Sequence, residues 1–479
     1  MHESGRSGNP GDRFRHSSPL RAITRSGDSE AVEIRRILSP ALLSLMRFLL
    51  PLLLASAAHA ATWYVAPDGS DHARGDRPQP FATVQRAQAA ASPGDTVILR
   101  GGTYAMQESM IARRERIWAY VTLLDKSGKP GKPITYRAET GEQPVFDLSA
   151  VKPAGLRVHA FEVKGSHLVL QGISVTGVQV TAAHHTQSIC FSNTGSHNRY
   201  ERLRMHDGMG IGFYLSRGSN NLVLNCDAWN NYDPVSEGGR GGNVDGFGGH
   251  PNRGDTGNVF RGCRAWFNSD DGFDCISAWE SIRFENCWAW QNGKSPDGKS
   301  LGDGNGFKIG GFGLEAKRGL PDPMPRHTVI RCVAASNKAN GFYANHHPGG
   351  SNWIHNSAYA NRTNFNFLGR DFSTHTGVPG SGHIIRNNIG FGSRNELAQL
   401  DREKCQLAGN IFGERLETKD FLSLDVSLLA APRQKDGSLP HIDFMRPAPK
   451  GKMVDAGEKG AEPFNGKAPD AGAIESGST

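Results

Sequence analysis

The chain has 479 residues, 59 of them glycine, with 37% hydrophobic residues and a formal net charge of +7 at pH 7. That length allows one large domain or two to three ordinary ones, and abundant glycine with few Leu-rich runs after residue 60 favours short strands and turns over helix bundles. A mildly basic balance suits an anionic partner such as an acidic polysaccharide, and no nucleic-acid-binding motif is present.

Residues 1–45 are polar, Arg-containing and without periodicity, and are expected to be disordered. They read as an extended N-terminus, or as sequence upstream of a true start at Met46. Residues 46–60, MRFLLPLLLASAAHA, have the basic residue, short apolar run and small-x-small ending of a signal peptide. The run is about half the ~20 residues that a membrane span needs. A secreted or periplasmic location is therefore expected, with no membrane domain. Without residues 1–60 the balance is 46 Lys+Arg against 42 Asp+Glu.

Residues 61–479 read as one all-β domain: a cap over about 61–95, coils over about 96–410 and a tail over about 411–479. ATWYVAPDGSD (61–71) is an opening strand and turn. FATVQRAQAAAS (81–92) is an amphipathic, Ala-rich helix placed to cover the open end of a solenoid. GDTVILRGGTY (94–104) is strand, turn, strand.

An internal repeat follows. LNCDAWNN, RGCRAWFN, ENCWAWQN, IRCVAASN and IHNSAYAN are anchored on Cys226, Cys263, Cys287, Cys332 and Asn356, with looser copies at Leu203 and Asn387. Ala recurs two residues after each of the five anchors and Asn recurs five after: Asn231, Asn268, Asn292, Asn337 and Asn361. Anchor spacings of 23, 37, 24, 45, 24 and 31 match one coil of a parallel β-helix with two enlarged coils. The Asn series is expected to form a side-chain ladder at a left-handed turn. Gly-rich inserts, residues 235–256 and much of 293–325, account for the long spacings and are expected at a binding face. Four of the seven cysteines stand at the anchor, which favours buried free thiols over disulfides. The loop-rich tail is expected to pack along the solenoid.

A second unit recurs beyond each Asn: DGFG (245–248), DGFD (271–274), NGFK (305–308), NGFY (340–343) and, loosely, TNFN (363–366). In stacked coils the phenylalanines make a core column. The flanking columns read Asp245, Asp271, Asn305, Asn340 and Gly248, Asp274, Lys308, Tyr343. With Asp270, four carboxylates gather in a small patch. Three readings compete: a solvated acidic surface, a Ca²⁺ site, or a glycosidase acid pair. No His or Cys is spaced for Zn²⁺. Lys308, one coil from Asp274, favours the second reading. A lysine beside a bound cation is pushed toward its neutral form and can take a proton. The matching reaction is β-elimination on a uronic acid, with the C5 proton removed and the C4–O bond broken.

TWYVAPDGSD, GDTVILRGGTY, VDGFG, SDDGFD and GNGFKIGG together resemble the family 9 polysaccharide lyases, whose best-known members are pectate lyases. The resemblance runs over most of residues 61–475. It implies a right-handed parallel β-helix and Ca²⁺-dependent cleavage of polygalacturonate, with calcium aspartates at Asp245, Asp270, Asp271 and Asp274 and a catalytic lysine base at Lys308. The family also contains members acting on other polymers, so a related uronate glycan stays open as substrate. His250, Arg253, Tyr343, Asn345, His346 and His347 are candidates for contacting substrate. A monomer is expected. The alternatives are an inverting hydrolase of the polygalacturonase type, whose GHG and RIK signatures are missing, and a non-catalytic glycan-binding β-helix.

Overall fold

The computed structural model describes residues 60–477 except 314, 315, 317 and 318. The expected export segment and everything before it lie outside the described residues, apart from Ala60. Among the described residues no helix is long and apolar enough to cross a membrane.

A strand Thr62–Val65 opens the domain and pairs in parallel with Thr96–Leu99. Between them the helix Val84–Ala90 covers the end of the coil stack, with Thr83 as its N-cap accepting from Arg86 N at 3.0 Å. Its Val84 and Ala87 enter the core beside Val65 and Phe81. Buried Gln88 donates to Leu123 O at 2.8 Å.

From there each coil lays one short strand into each of three sheets. These hold twelve, eleven and eleven strands among the described residues, and all pairs but the first of the third sheet (Arg113–Glu115 with Trp118–Leu124) are parallel. The chain is a three-sided parallel β-helix. Its interior is filled by repeated columns, because equivalent residues in successive coils sit one sheet spacing apart. Phe247, Phe273, Phe307, Phe342 and Phe365 stack with ring centroids 4.7–5.0 Å apart. Cys226, Cys263, Cys287 and Cys332 form a buried column at the turn between the first two sheets, and all seven cysteines are free.

The Asn ladder is continuous and buried. Asn231 Nδ2 donates to Asn268 Oδ1 at 3.0 Å, Asn268 to Asn292 at 3.2 Å, Asn292 to Asn337 at 3.0 Å and Asn337 to Asn361 at 2.9 Å. Two details depart from expectation. The left-handed backbone belongs to the residue before each ladder position: Asn230, Phe267, Gln291, Ser336 and Ala360 have φ of 51–54°. Each costs about 1–2 kcal/mol, offset by the ladder bonds that the turn allows. The late anchor is Asn388, one residue beyond Asn387: Asn356 N donates to Asn388 Oδ1 at 2.9 Å, while Asn387 takes the left-handed turn at φ 58°.

The ladder also explains the glycine of the second motif. A Cβ on Gly272 would lie 2.7 Å from Gly306 O and 2.9 Å from Asn292 Nδ2, and Gly246 and Gly306 meet equivalent atoms. The coil turns there with ladder amide and neighbouring backbone in contact.

The tail packs on the outer face of the second sheet. Leu416, Phe421, Leu429, Phe444 and Met453 form an apolar cluster with Trp288, Trp290 and Val333 from the coils. Arg433 fastens it: with Arg264 it encloses the buried Asp227 carboxylate, at 2.7 and 2.9 Å.

Candidate functional site

The site is built on the third sheet, whose strands here are two or three residues long: Phe247–Gly249, Phe273–Asp274 and Phe307–Lys308. Register pairs Gly248 with Asp274, Asp274 with Lys308 and Lys308 with Tyr343. The Gly-rich inserts run into and out of these strands, so they border the same face. The phenylalanines point inward, so the next residues, Asp274 and Lys308, face out, and Asp271 reaches the same row from the turn before its strand, its Oδ2 3.0 Å from Lys308 Nζ.

One outward column is linked by hydrogen bonds. Asp271 N donates to Asp245 Oδ1 at 3.1 Å, Asn305 Nδ2 donates to Asp271 Oδ1 at 2.8 Å, and Asn340 Nδ2 donates to Asn305 Oδ1 at 2.7 Å. Asp270 Oδ1 accepts from Asp303 N at 2.8 Å, which ties the second insert to the cluster. Asp274 Oδ1 accepts from Ile276 N at 2.6 Å. Lys308 Nζ lies 3.0 Å from Asp271 Oδ2 and 3.1 Å from Asp274 Oδ2.

Electrostatically this is four buried carboxylates against one ammonium. Burial, then repulsion from neighbouring aspartates, pushes the Asp245 and Asp270 carboxyls well above the usual range. Burial raises Asp271 too, although Lys308 opposes it. Burial alone would depress Lys308, but the carboxylates, Asp271 and Asp274 foremost, outweigh it and hold the ammonium well above its usual value. The expected drift of Lys308 toward neutrality concerns a cation-loaded site; with the carboxylates alone the direction is opposite.

The residues fit a hard cation. One oxygen each of Asp245, Asp270 and Asp271 lies within 4.8 Å of the others. Asp271 Oδ2 is buried and has no well-directed hydrogen-bond donor, although the Lys308 ammonium is at ion-pair distance. An all-carboxylate donor set suits Ca²⁺ and does not suit Zn²⁺. Asp274 stands beside the trio and joins it through Lys308.

The other candidates are placed as follows. Tyr343 continues the Lys308 column, and its hydroxyl lies 3.0 Å from His346 Nδ1. His250 stacks on Tyr214 at 4.6 Å; its Nδ1 donates to Ile276 O at 2.7 Å, and its Nε2 is buried without a partner. Asn345 donates to Gly310 O at 2.7 Å and His347 Nε2 to Pro325 O at 2.9 Å, so both brace loops. Arg253 lies over the Trp279 ring at 5.2 Å, on an exposed loop.

Arg370 was not apparent from the sequence. It is buried, its Nε has no partner, and its charge reaches both Tyr343 and His346. It sits on an antiparallel hairpin, Leu368–Asp371 with Thr376–Pro379, that interrupts the coils. No repeat could have signalled it.

Known proteins share this fold. The profile of the Pel9A-like right-handed β-helix family matches residues 63–388. Pectate lyase L of Dickeya chrysanthemi is 34% identical over 418 residues, covering 86% of this chain and 90% of that protein. A solved rhamnogalacturonan lyase superposes with a TM-score of 0.78 at 42% identity, over 80% of this chain and 96% of its own. The crystal structure of pectate lyase Pel9A gives 0.70 at 32% identity, over 87% and 96%.

Proposed function

This chain belongs to the Pel9A-like right-handed β-helix family of polysaccharide lyases, and from that premise we propose that it is an exported, Ca²⁺-dependent lyase that cleaves pectic uronate chains by β-elimination. The observation that carries this reading is Lys308, one coil from Asp274 and 3.0–3.1 Å from two carboxylates on an outward row. Asp245, Asp270, Asp271 and Asp274 would hold the cation. A Ca²⁺ there would polarise the uronate carboxylate, acidify the C5–H beside it, and replace Lys308 as counter-ion to Asp271 and Asp274.

Lys308 Nζ, once neutral, accepts the C5 proton. The electron pair of that bond forms the C4–C5 double bond, the C4–O bond breaks, and the departing oxygen takes up a proton. The Lys308 side chain is 13% exposed, so it is shielded yet open to the groove. Tyr343, His346 and His250 border the row and would orient the sugar.

Polygalacturonate is the first substrate to test. Rhamnogalacturonan is the second, because the rhamnogalacturonan lyase is the more similar of the two superposed structures. Both polymers offer a galacturonate with a bond at C4 and differ in the leaving sugar. Each is incubated with the protein with and without EDTA, following ultraviolet absorbance of the unsaturated product. Absorbance that rises and stops with EDTA is expected. New reducing ends without that absorbance would mean hydrolysis, and no cleavage of any uronate polymer would mean a binding module.

A further inference from the structure

Four coils upstream of the acidic cluster, the same outward columns hold a different pair. Strand register runs Phe161, Phe191, Phe213, Phe247 and Phe273 through one core column. Two residues before and one after each ring, the chain has His159 and Glu162, Ile189 and Ser192, Ile211 and Tyr214, Asp245 and Gly248, then Asp271 and Asp274. The core takes Val158, Ala160, Phe161 and Val163, so His159 and Glu162 both face out of the coil. They are the positional equivalents of Asp271 and Asp274.

His159 Nδ1 lies 2.8 Å from Glu162 Oε2, and both side chains are under a tenth exposed. Together they line a cleft of about 550 Å³ that also presents Arg157, Lys164 and Arg217. Tyr120 and Tyr214 supply its apolar faces. Lys164 Nζ sits 4.6 Å from the Tyr120 ring centroid and 3.5 Å from Glu115. These are ingredients of a sugar-acid site: aromatic rings at its wall, cations for a carboxylate, and a carboxylate oriented by His159 that can accept from hydroxyls.

The cleft connects with the acidic cluster. Tyr214 pairs with Gly248, the neighbour of Asp274, and His250 stacks on Tyr214 above Gly248. Glu162 and Asp274 therefore lie on one row of one sheet, about 19 Å apart at ~4.8 Å per coil.

We propose that this cleft is a distal binding site for the acidic polysaccharide, holding a uronate-bearing stretch of the chain about five coils from the Lys308 end of the row, where the bond breaks. The inference rests on the function proposed above and extends it: the protein favours long chains over fragments too short to reach from Lys308 to Glu162.

Binding can be read without turnover in the Lys308→Ala protein, by its retardation in gels containing polygalacturonate or rhamnogalacturonan. Adding Lys164→Ala and Arg217→Ala should weaken retardation about tenfold. Arg217 is exposed, so Arg217→Ala alone tests the same direction without risk to folding. Equal retardation before and after these substitutions, or none with either polymer, overturns the proposal. With Lys308 intact, the double substitution should lower the ratio of kcat/KM for polymer to that for a short uronate oligomer about tenfold. An unchanged ratio also overturns it. If the lyase reading itself fails, wild-type protein yields no unsaturated product while gel retardation still depends on Lys164 and Arg217.

Discussion

Lys308 has two separable roles, as proposed base and as counter-ion to Asp271 and Asp274. Lys308→Ala should lower kcat by about 10²–10⁴, while calorimetry still detects Ca²⁺ binding, since none of the four aspartates is altered. Retained wild-type turnover would remove Lys308 as the base. Asp270 tests the other half of the site. Its carboxylate is buried among like charges and accepts one backbone hydrogen bond through Oδ1, which an amide would preserve. Asp270→Asn should therefore raise the melting temperature of EDTA-treated protein, by a stability gain of about 0.5–2 kcal/mol. It should also reduce the further rise that Ca²⁺ gives wild type. A fall in metal-free stability would mean that the cluster is not under electrostatic strain.

The strands are so short that side-chain columns share with backbone pairing the task of setting register. The amide of Asn292 bonds to Asn337 at 3.0 Å and Ala265 O at 3.1 Å and accepts from Asn268. Asn292→Ala would strand these buried partners at about 1–3 kcal/mol each, and thermal unfolding should show the loss. Because every coil repeats the same solution, the columns were legible in the sequence: the Phe, Cys and Asn series and the placing of Asp245, Asp271 and Lys308 in adjacent coils all follow from spacing. What repeats weakly is less legible. In IIRNNIGFG two asparagines compete for one position, and only backbone pairing selects Asn388. The left-handed turn falls one residue before the ladder position, where Phe267 or Ala360 gives no sequence hint of positive φ. Arg370 lies outside any repeated motif, and residues 159–162 share only their phenylalanine with the later copies of the second motif.

Across the whole molecule, the tail is held by an apolar face and one buried charge cluster. Burial would raise the Asp227 carboxyl, but Arg433 and Arg264 outweigh it and hold it below its ordinary value. The clamp thus contributes fully above about pH 3.9, the unfolded carboxyl value, and fades as pH falls through the depressed folded one. Arg433→Met should cost about 3 kcal/mol near neutrality. Its deficit in melting temperature against wild type should shrink below about pH 3.9. A deficit that is constant with pH would assign the loss to packing. The coil stack has a different consequence for change over time. Asp274 and Lys308 are neighbours across one strand pairing, whereas the chain between them includes a Gly-rich excursion outside the three sheets. The sheet works as a ruler with fixed divisions: loops can lengthen, shorten or be exchanged to suit a new glycan, while the base cannot drift from the acidic row by a fraction of a division. Specificity can diversify by loop exchange without the chemistry being rebuilt.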